Sequence, residues 1–154
     1  MSQDFYLGNP NLKKVGTEIQ FTKDQIQEYL KCKEDPVYFA MTYIKIISLD
    51  EGIVPFKMWD FQQELIESFH ENRFNIAKLP RQTGKSTTCV SYLLHYILFN
   101  DNVNVGILAN KLSTARDLLG RLQLAYEQLP LWLQQGIVVY LSLIHISEPT
   151  RPTD

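Results

Sequence analysis

The residues with the clearest chemical purpose are Leu79-Pro80-Arg81-Gln82-Thr83-Gly84-Lys85-Ser86-Thr87. Gly84-Lys85-Ser86 is the second half of the pattern G-x-x-x-x-G-K-[ST], and each residue type has a physical reason for its place. A glycine at 84 lets the main chain approach a phosphate with no Cβ in the way. The N–H groups of the loop, through Gln82, Thr83 and on to Thr87, can wrap an anion. The positive end of the following helix adds to the attraction. Lys85 can reach the β- and γ-phosphates of ATP, and the Ser86 hydroxyl can ligate the Mg²⁺ that travels with them. The first glycine of the pattern is absent, and Leu79 stands in its place. The competing reading is a helix N-terminus that happens to contain Gly-Lys-Ser.

Arg81 lies inside the same loop, four residues before Lys85. A cation there could turn toward the γ-phosphate as an arginine finger supplied in cis. It could equally form a surface ion pair or contact a DNA phosphate, and spacing does not choose. Gln62 follows Phe61, 23 residues before Lys85. An amide both donates and accepts, which suits an adenine edge, and a neighbouring ring can stack on the base. By residue type alone, a polar helix residue beside a core phenylalanine is the stronger reading. His95 falls on an apolar helix face and reads as a core histidine. Cys89 reads as a small buried hydrophobe.

The elements that position these residues follow from periodicity. Residues 1–20, with Gly8, Asn9, Pro10 and Gly16, read as a flexible arm. Thr22 with Gln25 makes a capping box for a first helix, with Ile26, Tyr29 and Leu30 as its apolar stripe and Asp35-Pro36 as its stop. Pro36 suits the first turn of a second helix, Val37 to about Ile47. Asp50-Glu51-Gly52 and Pro55 predict a turn with short extended flanks. A third helix is predicted from about Met58 to Glu71, which closes a helical subregion over 21–71. After it, 74–79 and 103–109 read as strands, with an apolar helix from Ser86 to Phe99 between them. A long helix then starts near Lys111 or Ser113, with Ala115, Leu118, Leu122, Ala125 and Leu129 as its stripe, and ends at Pro130. Strand, loop, helix, strand, helix predicts an α/β fold: the start of a parallel sheet over 72–140, incomplete with two strands.

Composition narrows the class. Hydrophobic residues make up 45% of the 154, and 15 Lys+Arg stand against 17 Asp+Glu. That is a globular balance without the bulk positive charge of a nucleic-acid module. The two cysteines, Cys32 and Cys89, have neither metal nor disulfide-framework spacing, which predicts a reducing, cytoplasmic setting. No apolar run has the roughly 18 residues of a membrane span. The opening residues lack the pattern of a secretory signal, so no membrane association is expected.

With Arg81-Gln82-Thr83-Gly84-Lys85-Ser86 in view, the chain resembles the large terminase subunit of myovirus-type tailed phages, an ATP-driven DNA-packaging motor. The resemblance spans about Pro36 to Val139. It includes Trp59-Asp60-Phe61-Gln62, the loop, Val105-Gly106-Ile107-Leu108-Ala109-Asn110-Lys111, and Leu129-Pro130 through Gln135-Gly136-Ile137-Val138. It accounts for Leu79 and Arg81, because that family's loop lacks the first glycine and carries an early arginine.

The resemblance implies an ATPase domain of the additional-strand P-loop class, here truncated and preceded by a helical region. Lys85 and Arg81 would be its catalytic cations, and Phe61-Gln62 its adenine-recognition pair. It further implies ATP and Mg²⁺ as cofactors, with Ser86 on the metal. The implied partners are double-stranded viral DNA, the portal protein and the small terminase subunit. The full-length protein would form a homo-oligomeric ring in the host cytoplasm, transiently at the procapsid portal, and carry a C-terminal nuclease. The acidic strand end that holds Mg²⁺ and orients water would lie downstream, so the chain itself is expected to be inactive. A helicase-like DNA translocase and a non-catalytic nucleotide-binding or interaction fragment are the alternatives.

Leu141 to Arg151 resembles the in-frame translation of a transposase-based sequencing adapter. On that reading 141–154 is a non-native tail. The alternative is a natural strand-like segment with a Pro-rich end.

Overall fold

The computed structural model describes residues 5–48 and 50–134. Thr22 opens the first helix, α1 (Lys23–Glu34), as its residue type predicts. The Thr22 hydroxyl accepts from the Gln25 N–H at 3.2 Å, and the Gln25 amide oxygen accepts from the Thr22 N–H at 3.0 Å. Asp35 then caps α2 (Pro36–Tyr43), accepting from the Tyr38 N–H at 2.9 Å, with Pro36 in the first turn. Of the predicted stripe of α1, only Tyr29 packs against the core. Ile26 and Leu30 are exposed, while Cys32 is fully buried and Glu28 takes hydrogen bonds from the hydroxyls of Tyr38 at 2.7 Å and Tyr43 at 3.0 Å. Two phenol donors on one carboxylate fix α1 to α2 more specifically than an aliphatic stripe would.

The second helix stops at Tyr43 rather than Ile47. β-branched Ile46 and Ile47 instead join β1 (Lys45–Ser48), which pairs antiparallel with β2 (Gly52–Pro55). The register sets Ile46 opposite Val54 and Ser48 opposite Gly52. Gly52 takes φ +75°, which closes the short turn.

Three further helices follow: α3 (Asp60–Glu71), α4 (Lys85–Phe99) and α5 (Leu112–Glu127). The core is built around α4, which packs against α2, α3 and α5. Val90, Leu94 and Leu98 point inward at four-residue spacing and meet Phe39, Ile44, Ile66, Ala125, Leu129 and Leu133. Phe99 stands edge-on to Phe39 at 5.6 Å and to Tyr29 at 5.1 Å between ring centroids.

The α/β expectation is overturned. Among the described residues there are five α-helices, and the only sheet is the two-stranded antiparallel one. The fold is mostly helical. Neither 74–79 nor 103–109 is a strand, and no parallel sheet of the P-loop class is formed. The reason is that an extended segment becomes a strand only when a neighbour takes up its N–H and C=O groups. Ile76 is fully exposed, and Phe74 and Leu108 nearly so. In 103–108 burial alternates without a ladder: Val103, Val105 and Ile107 are half-buried, and Asn104, Gly106 and Leu108 are exposed.

Within the segment read as a flexible arm, Asn11 to Lys13 is held against the rest of the chain. Leu12 is buried, and the buried Gln134 amide holds the backbone on both sides of it. The adapter-like segment, Gln135 to Val139 and the start of the arm lie outside the described residues. No helix among the described residues is long and apolar enough to cross a membrane.

Candidate phosphate-binding loop

The loop from Leu79 to Gly84 enters α4 through two left-handed residues. Gln82 has φ +60° and Gly84, the N-cap of α4, has φ +69°. Gly84 is required at its position for a second reason. A Cβ built there would stand 2.5 Å from the Nε2 atom of Gln62. The carbonyl of Gly84 accepts from the Thr88 N–H and from the Thr88 hydroxyl, each at 3.0 Å, so the first turn of α4 is firmly closed.

Within the loop the polar groups converge. Lys85 is half-buried and folds its side chain back over the loop. Its Nζ donates to the carbonyl of Pro80 at 2.6 Å and to that of Leu79 at 3.2 Å. The Thr83 hydroxyl donates to the same Pro80 carbonyl at 3.0 Å. The ammonium is therefore held inside the loop by carbonyls, which are neutral and weaker acceptors for it than a phosphate oxygen. Ser86 and Arg81 are exposed, one on the first turn of α4 and the other at the start of the loop.

Gln62 comes to this loop from the first turn of α3, with Phe61 beside it in sequence. The Trp59 N–H donates to the Gln62 Oε1 at 3.0 Å, and Gln62 Nε2 donates to the Thr83 carbonyl at 3.2 Å. Gln62 is 3% exposed, so its amide faces the protein rather than solvent. Phe61 is half-buried, and its ring lies 5.6 Å from that of Trp59, which is 59% exposed. The structure thus brings together Gln62, Thr83, Gly84 and Lys85, while Phe61 stacks toward Trp59. Ser86 and Thr87 follow on α4, and Arg81 and Gln82 line the exposed side of the loop.

Two participants escaped the sequence reading. The carbonyls of Leu79 and Pro80 hold the Lys85 ammonium, and residue type carries no signal for a carbonyl. Trp59 was read only as part of the family resemblance; its N-cap place before α3 and its N–H contact with the Gln62 Oε1 come from the structure.

A metal would find limited help from the chain. Among the described residues no group of three or more His, Cys, Asp or Glu could hold an ion. Mg²⁺ keeps several waters and is commonly bound by one or two protein groups together with substrate phosphates. The exposed hydroxyl of Ser86 is one oxygen donor of the kind such an ion takes.

Elsewhere, burial governs the titratable groups. It pushes the Cys32 thiol up to about 12 and raises Cys89, so neither is a reactive thiolate. It lowers His95, which is packed among Phe39, Tyr92 and Phe99 with Nε2 donating to the Cys32 carbonyl at 2.8 Å. His95 is a core histidine, as its place in the pattern predicts. No family model matches the chain.

Proposed function

We propose that the chain binds the phosphates of a nucleotide at Gly84-Lys85-Ser86, as the nucleotide-binding part of a DNA-packaging ATPase of the terminase large-subunit type. One observation carries the phosphate reading. A left-handed glycine delivers the chain into the N-terminus of α4, a 15-residue helix, with the Lys85 ammonium parked on the Leu79 and Pro80 carbonyls of the same loop. A triphosphate arriving there meets N–H groups, the helix dipole and a cation already in reach. This arrangement depends on the loop and the helix and on no sheet.

The assignment to a packaging motor rests on the sequence resemblance in Trp59–Gln62, Arg81–Ser86 and Val105–Lys111. With it come ATP as the nucleotide, and viral DNA, the portal protein and the small terminase subunit as partners of a full-length ring. The setting would be the host cytoplasm and the procapsid portal. Mg²⁺ bound to the nucleotide and to Ser86 would neutralise charge on the β- and γ-oxygens. The chain's own part is to bind and orient: Lys85 on the phosphates, Arg81 positioned to swing toward the γ-phosphate, and the Gln62–Thr83 contact behind the loop. Asp117 and Glu127, the acidic residues between Lys111 and Gln134, both sit on α5. The chain is therefore proposed to bind ATP without turning it over.

Calorimetric titration of the chain with MgATP tests this. Binding is expected, with Lys85→Ala weakening it by roughly 10- to 100-fold, the scale of a charge-assisted hydrogen bond. Equal affinity in the variant would overturn the phosphate reading.

A further inference from the structure

We infer that Gln62 is a positioning residue that braces the phosphate loop from behind and couples it to Trp59. The inference rests on the phosphate-binding reading above, and it assigns Gln62 a role other than reading a base.

Three observations carry it. Gln62 as a residue is 3% exposed, which leaves little of its side chain for a ligand's edge. Its two ends are committed to different elements. Oε1 accepts from the Trp59 N–H at 3.0 Å at the start of α3, and Nε2 donates to the Thr83 carbonyl at 3.2 Å, one residue before the helix-opening glycine. Its Nε2 also fills the space over Gly84 that a Cβ would occupy. A loop carbonyl that is held from behind fixes the following peptide plane. Here that plane carries the Gly84 N–H, one of the donors a phosphate would use. The same amide ties Trp59 to the loop, so a ligand that shifts Thr83 shifts the environment of the Trp59 indole.

The test separates bracing from base reading by removing the base. Inorganic tripolyphosphate and ATP are each titrated into the wild-type chain and into Gln62→Glu. The glutamate can still accept from the Trp59 N–H but cannot donate to Thr83. Gln62→Met, of similar length, repeats the test if the buried carboxylate unfolds the chain. Bracing predicts that both ligands weaken by the same factor, about tenfold for a lost hydrogen bond that orders the site.

A second readout follows Trp59 emission in a Trp132→Phe background. Saturating tripolyphosphate should change it in the wild-type loop and leave it unchanged in Gln62→Met. Weakened ATP with unchanged tripolyphosphate would overturn the brace and make Gln62 a base reader. Unchanged affinity for both ligands, or an emission change that survives in Gln62→Met, would also overturn it. A wild-type chain that binds neither ligand would remove the phosphate reading itself, and the brace with it.

Discussion

Gln134 and Asn11, 123 positions apart in the chain, are joined by a 2.8 Å hydrogen bond from the Gln134 Nε2 to the Asn11 carbonyl. The same amide accepts from the Lys13 N–H at 2.9 Å and also donates to the carbonyl of Leu129 at 3.2 Å. Between the two arm contacts, Leu12 is inserted into the protein with 2% of its surface exposed. One buried side chain thus closes the N-terminal segment onto the end of α5. Removing it strands several buried polar groups at once, and each costs about 1–3 kcal/mol when left unpaired. Gln134→Ala should therefore lower unfolding stability by about 2–4 kcal/mol. The check is the urea midpoint at unchanged slope. A loss below about 0.5 kcal/mol would mean that the clasp contributes nothing in solution.

Gly84→Ala should be unusually costly, because two penalties coincide. One is the left-handed φ of +69°, worth about 1–2 kcal/mol for a residue with a Cβ. The other is the approach to Gln62 Nε2 at 2.5 Å. Adding Gln62→Ala removes the second penalty and leaves the first. In a thermal-melt double-mutant cycle the pair should therefore cost less than the sum of the singles. Strict additivity would mean that the two side chains do not meet.

Acid should destabilise the fold through His95. Burial lowers its pKa from 6.5, with the facing His70 opposing its charge and the Cys32 carbonyl and Asp35 favouring it. The unfolded chain then binds more protons than the native one near and below pH 6.5, so stability falls as pH drops through that value. The loss levels off below the native pKa. Urea midpoints between pH 7.5 and 5 should show the decline in the wild type. They should show less of it in His95→Phe, which keeps the ring but cannot charge. An equal decline in the variant would place the acid sensitivity elsewhere.

Phe74, Ile76 and Leu108 are exposed in segments with no strand neighbour. Apolar side chains on unpaired extended backbone invite association between chains. Replacing all three with Thr should reduce self-association in light scattering and leave the melting temperature nearly unchanged, because they bury little in this fold. A large fall in melting temperature would show that these side chains are covered in solution.

The sequence alone determined whatever depends on neighbours along the chain. Thr22 and Gln25 lie within one turn, so their reciprocal cap was legible, as were Pro36 opening α2, Gly84 opening α4, and the apolar period of α4 and α5. His95 could be placed in the core from that same period. The Leu79 and Pro80 carbonyls that hold the Lys85 ammonium lie only five and six residues away, yet no side-chain type marks them. Tertiary structure decided everything that needs a distant partner. The segment at 74–79 had a strand's alternation and that at 103–109 the apolar run of a buried strand, but a strand exists only in its pairing. Tertiary packing turned α1 so that Glu28 and Cys32, not Ile26 and Leu30, face α2. It ended α2 early because Ile46 and Ile47 found β2 across a turn. It joined Gln62 to Thr83 and Gln134 to Asn11, contacts 21 and 123 residues apart that no local pattern encodes. Local hydrogen bonds and helical periodicity are set within a few residues. Pairing, facing and burial are set by which surfaces the folded chain brings together.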